Sequence, residues 1–181
     1  MKRRFLFMLM AALTCIGANA AINRANNYLE ASEATATAGQ TVVVNILMTN
    51  NFNIANWQTN LILPEGITLV SAEAAEKWVD QVNVEGNQIS SETENPVAAG
   101  SKAVVAKVTL QVASTVAAGE YEIALSSTVM IADNSTIVTQ VDNKVAKLTV
   151  EENPVLKGDV NGDGDVDVMD VVAIYDIMAG N

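Results

Sequence analysis

Apolar and polar residues alternate along most of the chain between residues 28 and 150, which is the pattern of half-buried β-strands. The alternation is clearest over residues 103–112, where one side of the predicted strand is apolar and the other is mixed. The apolar side is Val104, Ala106, Val108, Leu110 and Val112, and the other is Val105, Lys107, Thr109 and Gln111. Such a strand buries one face and exposes the other.

Short runs of the same kind recur, with turn residues between them. The other predicted strands are Thr41–Thr49, Ile54–Leu63, Ile67–Ala72, Glu120–Ser127, Val129–Ala132, Thr136–Val141 and Lys144–Val150. Residues 71–80 fit either a helical turn or a loop that holds Trp78. Many short strands without a long helix predict a mainly β fold, an antiparallel sandwich of two sheets.

The pattern changes to a helical period near the end of the chain. Residues 168–179 predict a helix, and Gly180 is placed to end it. One face of this helix carries Val168, Val171, Val172, Tyr175 and Met178, and Ile174 and Ile177 widen it. A helix that is apolar over most of its circumference is normally buried. We therefore expect a partner, which is its own sandwich, a second copy of the chain or a foreign module.

The segment before this helix, residues 159–170, reads D-V-N-G-D-G-D-V-D-V-M-D. Its oxygen-bearing residues recur at the spacing of an EF-hand loop, with glycine at the sixth place for the sharp turn. Ca²⁺ takes about six to eight oxygen ligands, which a short loop supplies from alternate residues. The predicted ligands are Asp159, Asn161, Asp163, Asp165 (through its backbone carbonyl), Asp167 (directly or through water) and Asp170.

The run Gly158–Gly164, with aspartate at the twelfth place and a helix only on the exit side, resembles a type I dockerin repeat. In a full dockerin two such repeats pack their helices together, and this chain shows one. The resemblance implies docking to a cohesin-like module, in cis or in trans, as in polysaccharide-degrading assemblies. It also implies that Val168 and Met169 face that partner. The predicted partner-binding residues are Val168, Met169, Val171, Val172 and Tyr175, and self-association through this helix stays open.

Three stretches of the body resemble a cohesin-type module. They are A-G-Q-T-V-V-V-N-I at 38–46, I-A-N-W-Q-T-N-L-I-L-P-E-G-I at 54–67 and A-A-G-E-Y-E-I-A-L at 117–125. The resemblance implies a nine-stranded jelly-roll sandwich, a fold related to some carbohydrate-binding modules. We therefore expect four segments: a leader at 1–20, a sandwich at 21–150, a linker at 151–157 and a half-dockerin at 158–181.

The leader is predicted from a basic start, an apolar core over residues 5–16 and a small-residue cleavage site at 18–20. It predicts export to the cell surface or the medium, with the periplasm as a further possibility. Its apolar run is too short to span a membrane. A lipoprotein signal that uses Cys15 is the second interpretation, because Thr14 is bulky for such a site.

Charge and composition exclude several function classes. The chain carries a net charge of −11, and cleavage after residue 20 would remove three basic residues and change it to −14. Such an acidic chain repels phosphate backbones, so nucleic acid is not an expected partner. The sequence has no histidine and one cysteine, which lies in the leader. Triads that use histidine and zinc sites that use histidine are therefore excluded.

These features predict a non-catalytic, exported, calcium-binding protein of assembly or adhesion. The first alternative is a carbohydrate-binding module with Trp57 and Trp78 as sugar-stacking residues, although Trp57 shares a strand face with Leu61. A further alternative is a small glycoside hydrolase that uses two carboxylates. Its candidates are Glu65, Glu73, Glu92 and Glu122, and no spacing in the sequence pairs them.

Overall fold

The computed structural model describes residues 26–75, 78, 80–138, 144–152, 158–162 and 165–180. Ten strands and one helix make up its regular structure. The strands are β1 (Tyr28–Ala31), β2 (Ala34–Thr37), β3 (Thr41–Asn50), β4 (Ile54–Ile62), β5 (Ile67–Ala74), β6 (Asn83–Glu85), β7 (Gln88–Val97), β8 (Gly100–Val112), β9 (Gly119–Ala132) and β10 (Lys144–Glu151). The helix is α1 (Val168–Ala179).

The strands form two sheets. One has four strands in the order β1-β3-β8-β5, and the other has six in the order β2-β10-β9-β4-β7-β6. All pairings are antiparallel except β2 with β10, which is parallel. Side chains from both sheets meet in a single apolar core. The predicted mainly β, two-sheet sandwich is therefore confirmed, with one parallel pair that the sequence did not indicate.

Two tryptophans occupy the centre of this core. The Trp57 and Trp78 rings meet edge to face, with centroids 5.9 Å apart and an angle of 79° between the planes. Their exposed fractions are 0% and 1%. The Trp78 indole N–H donates to the Ser91 hydroxyl at 2.6 Å. The assignment of these residues to sugar stacking is therefore corrected, because a buried ring has no free face for a sugar.

The strand predicted most clearly, β8, departs from strict alternation at one point. Val105 and Ala106 are adjacent, and both are fully buried. The pairing shifts there, since Ala106 lies opposite Ile46 while Val104 lies opposite Leu47. Such a bulge places one extra residue in a strand and reverses the faces beyond it. The predictions that Val104 faces the core and Val105 the other side are therefore wrong: Val105 is buried, and Val104 lies on the outer side opposite Leu47.

Three other regions of the fold differ from the sequence prediction or complete it. The hairpin of β6 and β7 was not predicted, because its strands are rich in Asn, Gln, Ser and Glu rather than in β-branched residues. The two strands predicted at 120–127 and 129–132 are one continuous strand, β9. The stretch at 71–80, for which a helical turn and a loop were both open, begins with the end of β5, and Trp78 lies buried in the core. Residues 76, 77 and 79 lie outside the described residues.

Several predicted features lie outside the described residues. They are the leader at 1–20 with Cys15, most of the linker at 151–157, Asp163 and Gly164 of the loop, and residues 139–141 of the strand predicted at 136–141. Of that last strand, Ile137 forms an isolated bridge with Ile131.

The position of Trp57 yields a stability prediction. Replacing a fully buried Trp by Ala removes its packing and leaves a cavity, so Trp57→Ala should lower the free energy of unfolding by about 3–5 kcal/mol. Val145 lies on a solvent-facing side, and Val145→Thr should change it by about 0.5 kcal/mol or less. Urea unfolding followed by tryptophan fluorescence and circular dichroism measures both. Near-equal midpoints for the two variants would contradict this account of the core.

Candidate functional site

Helix α1 is bounded by local hydrogen bonds at both ends. At its start the Asp167 carboxylate accepts the Met169 N–H at 2.7 Å. The Asp170 carboxylate accepts the Asp167 N–H in return, which completes a capping box. At its end Gly180 is left-handed, with φ of 80°, and donates to the Asp176 and Ile177 carbonyls. The helix predicted at 168–179 and its glycine stop are confirmed.

Asp170 also connects the helix to the loop before it. Its Oδ1 accepts the Val160 N–H at 2.7 Å and the Asn161 N–H at 3.3 Å, while Oδ2 accepts from Asp167 at 2.7 Å. The residue is 3% exposed. The Asp167 hydrogen bond, with those from Val160 and Asn161, lowers the pKa of the Asp170 carboxyl, which partial desolvation opposes. The first and last turns of the loop are thereby joined; we name these contacts the Asp170 clasp.

The first predicted ligand, Asp159, takes part in the same turn. Its Oδ1 accepts the Gly162 N–H at 2.7 Å, and Gly162 adopts a φ of +75° that favours glycine. The clasp therefore brings the second and third loop positions, which follow Asp159, against the twelfth. Within the described residues no group of three or more acidic, histidine or cysteine side chains is arranged around a common point. The predicted calcium site, which includes the undescribed Asp163, stays a prediction.

The predicted burial of α1 is not found within the described part of the chain. Its large apolar side chains are between 42% and 78% exposed: Val168, Met169, Val171, Val172, Ile174, Tyr175, Ile177 and Met178. They project in every direction around the helix axis, since successive residues are about 100° apart. All five predicted partner-binding residues are among them. Across the described residues, none of the helical structure reaches the length and hydrophobicity of a membrane span.

The outer side of the six-stranded sheet is acidic, and we name it the acidic face. Its strands point five carboxylates and one lysine outward: Glu85, Glu92, Glu120, Glu122, Glu151 and Lys147. Lys147 bonds to Glu120 at 3.0 Å, which raises the pKa of the lysine. Its middle strand, β4, presents Asn56, Gln58, Asn60 and Ile62. A depression of about 530 Å³ at one end adds Asp80, Glu94 and Asp133 to its lining.

The outer side of the four-stranded sheet has balanced charge, and we name it the neutral face. Glu30 pairs with Lys102 at 3.0 Å, and this hydrogen bond raises the pKa of Lys102. Glu73 lies opposite Lys107 in the register of β5 and β8. Apolar side chains lie between the charges: Val43, Leu47, Val70 and Val104. The two faces of one sandwich therefore differ in charge.

The carboxylates proposed for hydrolysis do not converge. Glu73 lies on the neutral face, while Glu92 and Glu122 lie on the acidic face, on β7 and β9 with β4 between them. Glu92 is level with Asn56 at the start of β4, and Glu122 lies beyond its other end. A pair of glycosidase carboxylates is separated by only about 5–9.5 Å across a cleft. These strand positions do not provide such a pair.

Comparison with solved structures identifies similar folds. The sixth cohesin of scaffoldin B from Acetivibrio cellulolyticus, solved in complex with a dockerin, matches with a TM-score of 0.58 at 14% identity, over 70% of this chain and 99% of its own. A type I cohesin from Pseudobacteroides cellulosolvens matches at 0.55 and 23%, over 71% and 94%. A non-cellulosomal cohesin from Archaeoglobus fulgidus matches at 0.52 and 17%, over 68% and 91%.

These matches confirm the predicted cohesin-like sandwich as a fold. No family model matches the sequence, and no curated protein matches it either. The matches do not bear on the dockerin resemblance of residues 158–181, which stays a prediction.

The sequence interpretation missed two features of the site. The structural role of Asp170 and Asp167 was not recognised, although an acidic residue three places after a capping residue is a helix-start signal. The contrast between the two sheet faces was also missed. It required the register, because a charged residue in a strand faces either side depending on the pairing.

Two aspartate-to-alanine substitutions on helix α1, one inside the Asp170 clasp and one outside it, test the role of the clasp. Asp170→Ala removes the acceptor of three backbone N–H groups, so exchange of amide hydrogens over 159–170 should become faster and the first turn of α1 should fray. Asp176→Ala removes an exposed carboxylate of the same helix and should leave that exchange unchanged. Hydrogen exchange with mass spectrometry measures both. Equal protection of this segment in the two variants would rule out the clasp.

Proposed function

We propose that this chain is an exported, non-catalytic assembly or adhesion protein with two docking elements. The sandwich is the receiving module for a dockerin-type segment. The tail, residues 158–181, is a calcium-ordered docking segment that presents α1. The observation that supports this most is the combination of a cohesin fold with an exposed apolar helix that is capped at both ends.

The partner of the sandwich is inferred from its structural neighbours. Cohesins of the same fold were solved in complex with dockerins. The sequence interpretation named a cohesin-like module as the partner; for the sandwich this assignment is reversed, because the sandwich itself resembles the receiving module. The partner should then be a dockerin-type helical segment.

The acidic face is the surface that we assign to this partner. It is the broader of the two, with six strands, and Ile62, the last residue of β4, is 52% exposed next to the amides of that strand. Specific protein interfaces combine apolar contacts of this kind with polar groups around them. Its surplus of carboxylates favours a partner with lysine or arginine around its apolar contacts. The acidic tail of this same chain does not meet that requirement.

The tail residues fit a calcium ion by the chemistry of their donors. Asp159, Asn161, Asp163, Asp165, Asp167 and Asp170 offer only oxygen ligands, the type that Ca²⁺ prefers. The Asp170 clasp supports this assignment, since it holds the start of the loop, at Val160 and Asn161, against the twelfth position. Ca²⁺ would offset the repulsion among these carboxylates and hold the loop in one conformation.

The burial of both candidate tryptophans argues against the sugar-binding alternative. Its two residues, Trp57 and Trp78, lie in the core, and aromatic residues make up only 4% of the chain. A connection with polysaccharide breakdown would arise through the assembly that the protein joins. Export to the cell surface or the medium belongs to the same proposal.

Calcium titration tests the tail. Isothermal titration of the full chain should show a heat of uptake at millimolar calcium or below, within the affinity range of about 10⁻⁴–10⁻³ M for extracellular modules or tighter. Asp159→Ala removes a charged ligand and should weaken uptake by about tenfold or more. Asp176→Ala removes the same charge outside the loop and should bind as the parent chain does. Absence of any heat for the parent chain would sink the calcium assignment.

Binding of dockerin modules tests the sandwich. In surface plasmon resonance with a panel of two-repeat dockerins, at least one that bears basic residues should bind. Ile62→Glu should weaken that binding by about tenfold or more, because it buries an unpaired charge in place of an apolar contact of the interface. Thr68→Glu adds the same charge on the opposite side and should have no effect. A panel without a binder, or equal losses for the two variants, would reject this assignment.

A further inference from the structure

We propose that α1 of one molecule docks on the neutral face of a second copy, and that the second copy docks in return, so that the chain forms a two-fold symmetric dimer. This inference rests on the proposed role of the tail as a calcium-ordered docking segment. It adds the identity of the tail's partner and the surface that receives it. It does not involve the acidic face.

The helix needs a cover, and its apolar side chains stay exposed beside the described part of its own chain. Val168, Tyr175, Ile177 and Met178 are each at least 66% exposed. Outside the Asp170 clasp its only charged residue is Asp176. Burial of each large apolar side chain would remove apolar surface from water and stabilise the contact. An apolar surface of this extent on a water-soluble segment marks an interaction site.

The neutral face offers a matching surface. Val43 and Val70 are 52% and 56% exposed, and Leu47 and Val104 lie directly opposite each other on neighbouring strands. Four strands about 4.8 Å apart are roughly 14 Å wide. A helix of 12 residues is about 18 Å long, so it can lie across all four strands. Apolar side chains of the helix would then meet apolar side chains of the sheet.

The charge of the tail favours docking on the neutral face over docking on the acidic face. Residues 158–180 carry six aspartates and no basic residue. The acidic face presents five carboxylates against one lysine on its strands, whereas the neutral face presents Glu30 and Glu73 against Lys102 and Lys107. Like charges placed together at an interface cost several kcal/mol. An acidic segment therefore has its least repulsive contact with the neutral face.

The size of the contact favours two reciprocal sites. A single helix on one sheet buries less than the roughly 1,200 Å² that stable interfaces bury in total. In a dimer with two-fold symmetry each molecule gives a helix and receives one, so the buried area doubles. The second copy is the committed partner because it carries both complementary surfaces. The helix also projects its apolar residues into solvent instead of resting on its own sandwich.

Sedimentation equilibrium of the full chain in calcium tests this inference. We expect a dimer that persists or strengthens when NaCl rises from about 0.05 to about 0.5 M, because salt screens the repulsion between two acidic copies. Val43→Glu on the receiving face and Tyr175→Glu on the helix should each weaken dimerisation by about tenfold or more. The matched control is Val84→Glu, an exposed valine of β6 outside both surfaces, which should leave the dimer unchanged.

Each alternative outcome overturns the proposal in a recognisable way. A dimer that survives Val43→Glu but not Tyr175→Glu would indicate that two helices pair with each other. Equal weakening by all three variants would mean that the contact is not at the neutral face. A monomer at every concentration would mean that the helix stays free, docks in cis or awaits a foreign module. If that monomer still takes up calcium, the proposed function stands and only the dimer is rejected.

Discussion

The geometry of the β-strand controls every surface of this molecule, because successive side chains point to opposite sides. Along β4 the core takes Trp57, Thr59 and Leu61, so Gln58 and Ile62 must face outward. A slip of one residue would expose Trp57 and bury the amides, at a large cost in free energy. The edge-to-face contact between Trp57 and Trp78 therefore fixes the register of β4 as well as filling the core. The composition of the acidic face follows from that register.

The sequence predicted the parts of the fold whose signals are local. Strands β3, β4 and β10 were placed to within about one residue, because β-branched residues alternate there and turn residues bound them. The β6–β7 hairpin escaped notice because its stability comes from pairing with β4, which no local pattern reveals. The bulge at Val105 escaped for the same reason. Strict alternation was assumed there, and the pairing with Ile46 and Leu47 breaks it.

The tail shows the same division between local and long-range information. The bounds of α1 were predictable because Asp167 and Gly180 fix the two ends of the helix through bonds to near neighbours. The exposure of its apolar residues was not predictable, since it depends on whether a partner lies within reach. The Asp170 clasp is intermediate between features that local sequence predicts and features that depend on distant residues. It joins residues ten positions apart, and its effect is to keep the loop and the helix together as one unit.

Ion binding and docking of the tail must influence each other if both occur. Without an ion the tail brings six aspartates to any surface that it approaches, and that repulsion opposes burial of α1. Ca²⁺ adds two positive charges next to those carboxylates and therefore lowers the repulsion at the moment of docking. By linkage, a partner that favours the loaded tail raises its calcium affinity by the same factor. If both proposals hold, the acidity that opposes association of two copies would make that association respond to calcium.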